Sequence, residues 1–216
     1  MPLLERWIIF FVGTACQSIG IALVVKSTLG TSPISSVPYV LSLSFPLTFG
    51  QTTFIINMLF IVGQILLLKK NFNKLQLLQI PATFVFAALI DLSMSIFDLT
   101  PENYFYKLLI LFFGAMFVSL GVALQVIANV LMLTGEALVT AISFISKIEF
   151  GNVKTAFDCC LVITAAAWSY FDLNVIEGIR EGTLISALIT GSIARFFIKH
   201  LSRIDHDGNR MLYLHV

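Results

Sequence analysis

The amino-acid sequence predicts an all-α polytopic membrane protein built from two related halves, and three observations lead to this fold class. Of the 216 residues, 58% are hydrophobic and only 12% are charged, too few charges to cover the surface of a soluble domain. Several long runs carry no charged residue at all. The chain also matches itself when it is shifted by 101 residues.

The uncharged runs are long enough to predict membrane-spanning helices. They cover residues 7–25, 52–68, 75–90, 108–133 and 159–171. A helix needs about 20 residues to cross the hydrocarbon core, and it satisfies its backbone polar groups internally. The first run follows Glu5 and Arg6, as in a secretory signal, but no convincing cleavage site follows it. We therefore expect it to be a retained first helix.

The shift by 101 residues aligns the two halves without gaps. The informative matches are two glycine pairs, a Phe-Gly-amide triplet and one polar pair: Gly13 with Gly114, Gly20 with Gly121, 49–51 with 150–152, and Asn57 with Asp158. Matches between Leu and Val residues weigh little, because apolar sequences often coincide by chance. The pattern indicates an internal duplication, with a first membrane repeat over 1–100, a second over 101–200, and a cytoplasmic tail over 201–216.

Each repeat is predicted to contain three long helices and one short helix. The predicted helices are 7–26, 33–45, 51–68 and 77–97 in the first repeat, and 105–130, 135–146, 152–171 and 182–199 in the second. In each repeat the second helix is the short one. A helix of about 13 residues rises only about 20 Å, less than the hydrocarbon thickness of about 30 Å.

The basic residues indicate whether the short helices cross the membrane. If all eight segments crossed, eight basic residues would be cytoplasmic and five external. If the short segments enter and leave on one side, ten of the 13 become cytoplasmic, including Lys69, Lys70 and Lys74. The positive-inside rule favours the second arrangement.

We therefore predict a 3+3 inverted repeat, in which each half has three spanning helices plus one short re-entrant helix. This arrangement puts both termini in the cytoplasm. The alternative is eight spanning helices in a parallel 4+4 repeat.

The two short segments begin with residues that favour helix starts. Ser32 offers a capping hydroxyl before Pro33, and Thr134 does the same before Gly135. If these ends reach the middle of the membrane, their free N–H groups and positive dipoles form a site for anionic or carbonyl groups. Glu136 would favour a cation or proton in its half, or would simply cap its own helix.

Five further polar residues are candidates to line a site. Asp91 lies on a small, polar helix face, where it either lines a cavity or bonds a neighbouring helix. Lys154 and Asp158 are four residues apart on one helix face, which suits a structural ion pair or a proton relay. Gln17 and Gln125 each follow a glycine by four residues, and an amide there bonds across a close helix contact or faces a pore. The packing interpretation is favoured for this pair.

The sequence contains no nucleophile motif, phosphate loop or dinucleotide fingerprint, so an enzyme is not expected. The three cysteines lie within apolar segments, where they are interpreted as small buried hydrophobes. The histidines, all in the last 17 residues, have no cysteine or carboxylate at ligand spacing. No metal, other cofactor or nucleic-acid partner is therefore expected.

Several segments resemble the bacterial YczE/YyaS/YitT group of integral membrane proteins. They are 134–139 (TGEALV), 150–154 (FGNVK), 157–158 (FD) and 29–33 (LGTSP), and the similarity extends to about residue 200. The resemblance implies a bacterial plasma-membrane location and a transporter or permease role, without a settled substrate. It also implies that Glu136, Lys154 and Asp158 act as a group.

The expected function is a small-solute transporter or permease with a polar site between the two short helices. Its expected partners are the lipid bilayer and a small solute or ion, and a homo-oligomer is left open. The candidate substrate- or ion-binding residues are Glu136, Asp158, Lys154, Asp91, Ser32, Thr134, Gln17 and Gln125. A membrane scaffold or accessory protein that transports nothing is the alternative.

Overall fold

The structure, a computed structural model, describes residues 2–204, with side chains to residue 201. The predicted tail therefore lies almost entirely outside the described residues. Within them the chain forms α-helices, two short 3-10 turns before α4, and no strand. The helices are α1 (Leu3–Lys26), α2 (Pro33–Ser44), α3 (Phe49–Leu68), α4 (Gln79–Ile96), α5 (Tyr104–Ala128), α6 (Thr134–Ser146), α7 (Phe150–Leu173) and α8 (Glu181–Ile204).

Six of these helices are long and apolar enough to cross a membrane, namely α1, α3, α4, α5, α7 and α8. The short helices α2 and α6 have 12 and 13 residues. They rise only about 18 and 20 Å, less than the hydrocarbon thickness of about 30 Å. The predicted division of the described chain into six long and two short helices is confirmed.

Local sequence explains where the helices begin and end. Thr48 and Gln51 form a capping box at the start of α3, with each side chain accepting a bond from the other residue's backbone N–H at 3.1 Å. The carboxyl end of α5 falls at Ala128, two residues before the predicted end. Asn129, the next residue, takes a left-handed conformation (φ 48°), which stops the helix.

Helices α1 and α5 form the centre of the fold and run antiparallel. Two glycine pairs bring their backbones together, Gly13 against Gly121 and Gly20 against Gly114. A Cβ atom on Gly13 would lie 2.8 Å from the Gly121 carbonyl oxygen, so neither position has room for a side chain. Arg6, at the start of α1, donates hydrogen bonds to the carbonyl groups that end α5.

The remaining helices surround this pair. Helix α4 packs on α1 and α8 packs on α5, while each short helix packs against both α3 and α7. The first turns of the two short helices meet, because Gly135 of α6 directly contacts the Ile34 side chain of α2. Ile34 and Gly135 correspond under the shift of 101 residues. Residues that correspond under the predicted repeat therefore meet at the first turns of the two short helices.

Candidate functional site

Polar side chains of α3 form hydrogen bonds with the first turn of α6. The Thr134 hydroxyl donates to Asn57 Oδ1, and Gln64 Nε2 donates to the Thr134 carbonyl oxygen at 3.0 Å. The prediction that Thr134 caps α6 is wrong. Leu133 precedes the helix and Thr134 is its first residue, with its hydroxyl taken by the amide that α3 presents.

The three charged residues that the resemblance grouped lie around this same turn. Lys154 Nζ and Asp158 Oδ1 of α7 are 2.5 Å apart, and each side chain is about one-quarter exposed (27% and 25%). The Glu136 carboxyl group of α6 interacts electrostatically with both. Its Oε2 atom is buried and has no hydrogen-bond partner. This group, called here the Glu136 cluster, contains two carboxyl groups and one ammonium, a composition that suits a proton or a cation.

Two glutamines extend the polar region from α3 to α4. Gln64 is fully buried and Gln79 is 2% exposed, and Gln64 Nε2 lies 3.4 Å from Gln79 Oε1. Gln64 Oε1 and Gln79 Nε2 have no hydrogen-bond partner. Neither glutamine was a predicted site residue. The signal available in the sequence was an amide within each of two apolar segments, where a polar group is costly unless it is bonded.

Ser32 precedes α2 as predicted, but the predicted capping bond is absent. Its hydroxyl donates to Ser35 Oγ at 2.9 Å, and no helix N–H donates to it. Pro33 has no N–H to offer, and the Ser35 N–H is taken by the Ser32 carbonyl oxygen at 3.0 Å. Ser32 therefore stabilises its own turn.

Gln17 and Gln125 bond to each other across the α1–α5 contact. Gln125 Nε2 donates to Gln17 Oε1 at 2.9 Å and reaches Thr14 Oγ1 at 3.3 Å. Both glutamines are more than nine-tenths buried, and Gln125 Oε1 has no partner. This geometry matches the packing interpretation of the pair.

Asp91 is a residue of α4. It lies beside the start of α3, apart from the Glu136 cluster. Its carboxylate accepts bonds from the Gly50 N–H at 2.7 Å and from the Thr48 hydroxyl at 2.5 Å. Of the two interpretations that the sequence left open, this geometry fits the bond to a neighbouring helix.

A small cleft of about 30 Å³ opens beside the first turn of α6. It is lined by α1, α4 and residues 131–134, and Thr134 connects it to the polar groups described above. The site as a whole therefore combines a charged cluster, buried amides and an adjoining cleft around the point where the short helices meet.

The family DUF6198, a family of unknown function, matches residues 4–199 of the chain. No match was found among curated proteins or among solved structures. The narrower resemblance to the YczE/YyaS/YitT group stays a prediction. Because the family match covers nearly the whole chain, the protein belongs to the DUF6198 family.

Proposed function

We propose that this protein is a small-solute membrane transporter or permease whose polar site lies between the two short helices. One observation carries the proposal. A carboxylate oxygen of Glu136 is buried without a partner at the place where the equivalent first turns of α2 and α6 meet. Ionisable groups inside membrane segments are costly and are usually retained for a function.

The antiparallel contact of α1 and α5 supports an inverted arrangement of the two repeats. These helices occupy equivalent positions. If only α3 and α4 cross between them, α1 and α5 are antiparallel, whereas a crossing by α2 as well would make them parallel. Many transporters consist of inverted repeats, with the substrate site at the repeat interface near the middle of the membrane. The lengths of α2 and α6 agree with re-entrant helices, as the positive-inside count predicts.

In this proposal the residues of the site have different roles. Glu136 binds a proton or a cation, and the Lys154–Asp158 ion pair sets the charge around it. Asn57 and Thr134 hold the first turn of α6 in position. Because Asn57 and Asp158 are equivalent positions, the two repeats present an amide and a carboxylate to the same region.

A flux assay tests the proposed function. A thermal-shift screen of solutes on the purified protein selects a responding solute, and its uptake is then measured in proteoliposomes. We expect Glu136→Gln and Asp158→Asn to abolish uptake while the proteins remain folded. Glu149→Gln and Asp172→Asn are the matched controls, since both carboxylates are exposed on the same part of the chain. Unchanged uptake in both site variants would contradict this mechanism.

The proposed location is the plasma membrane, with both termini cytoplasmic. Cysteines introduced at Asn71 and Glu102, in a variant without Cys16, Cys159 and Cys160, test this orientation. A membrane-impermeant thiol reagent on intact cells should label the Glu102 position and leave the Asn71 position unlabelled. Labelling at Asn71 would instead favour eight crossings.

If no solute produces uptake and a partner protein co-purifies stably, the scaffold alternative replaces transport.

A further inference from the structure

Glu136 carries a buried carboxyl group that lacks the hydrogen bonds an ionised carboxylate needs. Its Oε2 atom has almost no accessible surface and no hydrogen-bond partner. Burying an unpaired ionised oxygen is far more costly than burying the same group in its neutral, protonated form. A proton on Glu136 therefore stabilises this arrangement.

Helix α7 supplies the charged neighbours of Glu136. Helix α6 packs against α3 and α7, and its first turn meets α2. Neither α3 nor the rest of α6 contains a titratable side chain, and Tyr39 of α2 packs against the start of α3. From α7, Lys154 and Asp158 interact electrostatically with Glu136, and the other titratable side chains of α7 are exposed. The charge of Glu136 is therefore coupled to this one ion pair.

The space and the oxygen atoms around Glu136 fit a proton better than a metal cation. Ca²⁺ takes about six to eight oxygen ligands, and Mg²⁺ demands an octahedral set. The nearby oxygens are already used, since the Thr134 carbonyl accepts from Gln64 and Asn57 Oδ1 accepts from the Thr134 hydroxyl. Among the described residues, no group of three His, Cys, Asp or Glu side chains could hold a metal ion. A particle the size of water has no access to Glu136 Oε2, whereas a proton needs no volume.

The position of Lys154 shows which carboxyl group carries the negative charge. Its ammonium nitrogen is 2.5 Å from Asp158 Oδ1 and makes no bond to Glu136 Oε2. One ammonium stabilises an ionised Asp158 beside a neutral Glu136, whereas an ionised Glu136 competes for the same cation. Lys154 and Asp158 are each about one-quarter exposed, so either can meet water when the bond between them breaks.

We infer that Glu136 is a proton-binding site and that Lys154 exchanges between its two carboxyl neighbours. In the structure, Glu136 holds the proton and Lys154 bonds Asp158. When Glu136 releases the proton, its carboxylate takes the Lys154 ammonium, which keeps all its own protons. The inference rests on the proposed function, because it names the proton as the ion that the Glu136 cluster binds. Proton binding can be measured without transport, so the two ideas fail separately.

Infrared spectroscopy of the full-length protein in lipid membranes tests the proton site. A protonated carboxyl group has a C=O stretch that an ionised carboxylate lacks. We expect an acid band that persists after the exposed carboxyl groups have ionised and disappears at higher pH, equally in sodium, potassium and N-methylglucamine buffers. Glu136→Gln should lose this band. Glu149→Gln and Asp172→Asn are the matched controls and should retain it, because both carboxyl groups are exposed.

Isotope labelling keeps the test decisive if Glu136→Gln does not fold. Labelling the glutamate carboxyl groups of the wild type with ¹³C should shift the acid band, whereas labelling aspartate should leave it in place. Among the described residues, Glu136 has the buried carboxyl oxygen without a partner, so a glutamate band of this kind is assigned to it.

The Asp158 carboxylate reports the exchange of Lys154. Its stretch is identified in protein with ¹³C-labelled aspartate as the signal that Asp158→Asn removes. We expect this stretch to change at the same pH at which Glu136 releases its proton, because Lys154 then leaves Asp158. Glu136→Gln keeps the neutral form at every pH, so the stretch should stay as it is in the protonated wild type.

The outcomes separate the site from the function. No acid band, an acid band that neither Glu136→Gln nor glutamate labelling affects, or an Asp158 stretch that does not follow the Glu136 titration would each overturn the inference. Solute flux that requires a metal ion, in a protein without the acid band, would retain transport and reject the proton site. The expected bands in a protein with no flux of any solute would support the proton site and reject transport.

Discussion

The segments that lead into the two short helices occupy equivalent positions, yet one is closed by hydrogen bonds and the other borders an open cleft. Residues 27–32, the α2 approach, are bonded directly to the start of α8. The Thr31 N–H donates to the Gly178 carbonyl oxygen at 2.9 Å, and the Gly182 N–H donates to the Leu29 carbonyl oxygen at 2.8 Å. Residues 129–133, the α6 approach, border the cleft with three of their five residues.

This difference shows that segments which correspond under the shift of 101 residues adopt different local conformations. The equivalents of Leu29 and Gly182 under the shift of 101 residues are Val130 and Pro81. Pro81 has no N–H, so the bond that closes the α2 approach cannot form at the α6 approach. In an inverted repeat, one closed and one open approach is the asymmetry that alternating access requires. Under the proposed function, the structure corresponds to a state that is open on the α6 side.

The largest expected effect is a difference in thiol accessibility between equivalent positions. Thr31 is 1% exposed and Met132, its equivalent, is 49% exposed. Thr31→Cys and Met132→Cys, each in the background without native cysteines, are compared by their labelling rates in detergent. We expect the Met132 position to react roughly a hundredfold faster, because the Thr31 position must first open. Equal rates would remove the distinction between the two approaches.

A second prediction concerns a variant that disrupts the contact between α8 and the closed α2 approach. A Cβ atom on Gly182 would lie 2.6 Å from the Leu29 carbonyl oxygen, so Gly182→Ala forces α8 away from the α2 approach. We expect a loss of roughly 1–3 kcal/mol in the free energy of unfolding, measured by titration with SDS. Gly191→Ala is the control, because no atom lies within 4 Å of a Cβ atom there. Since Ala favours a helix more than Gly does, a similar loss in both variants would show that the contact with Leu29 is not the cause.

A third prediction concerns the Lys154–Asp158 ion pair, whose equivalent positions in the first half carry no charge. The equivalents of Lys154 and Asp158 in the first repeat are Thr53 and Asn57, both neutral. Lys154→Thr leaves Asp158 without its partner and beside Glu136, so it should lower the free energy of unfolding by roughly 1–3 kcal/mol. The effect is smaller than for a fully buried pair because both side chains are about one-quarter exposed.

The double variant Lys154→Thr/Asp158→Asn copies the first repeat and serves as the control for this prediction. It should recover most of the stability, since no charge is left unpaired within the ion pair. A double variant that is less stable than Lys154→Thr would contradict the electrostatic explanation.

The smallest expected effect compares the starts of α3 and α7. Thr48 caps α3, whereas Glu149, its equivalent before α7, makes no side-chain capping bond. Thr48→Ala should lower the free energy of unfolding by about 1 kcal/mol, and Glu149→Ala should change it by less than about 0.5 kcal/mol. Thermal unfolding followed by circular dichroism measures both. Equal effects would show that the capping bond does not stabilise α3.

Part of the candidate site could be predicted from the sequence. Lys154 and Asp158 are four residues apart on a helix, so their pairing follows from helical geometry alone. Glu136 was identified because it is an ionisable residue in an apolar segment. Asn57 was noted only as the equivalent of Asp158. Gln64 and Gln79 were missed, because they lie 15 residues apart and on different helices, and no local pattern shows that they meet.

The predicted capping bonds of Ser32 and Thr134 are both absent, but only the one at Thr134 is lost to a tertiary partner, since Ser32 bonds to Ser35 in its own turn. Helix capping was inferred from the residue type next to each helix start, which considers only local donors. In the folded protein, Asn57 competes for the Thr134 hydroxyl from another helix. The partner of a buried hydroxyl depends on its tertiary neighbours, and the sequence window around it does not contain them.

The sequence by itself determined the membrane class and the six long and two short helices, because these depend on composition and helix length. The correspondence of the two halves stays a prediction from internal similarity. The tertiary structure decided that α1 and α5 cross antiparallel through their glycines, and that the α2 approach is closed while the α6 approach borders a cleft. It also brought Glu136, Lys154 and Asp158 together with the amides of α3 and α4. Each of these depends on contacts between residues far apart in the chain, for which a single sequence offers no periodicity to read.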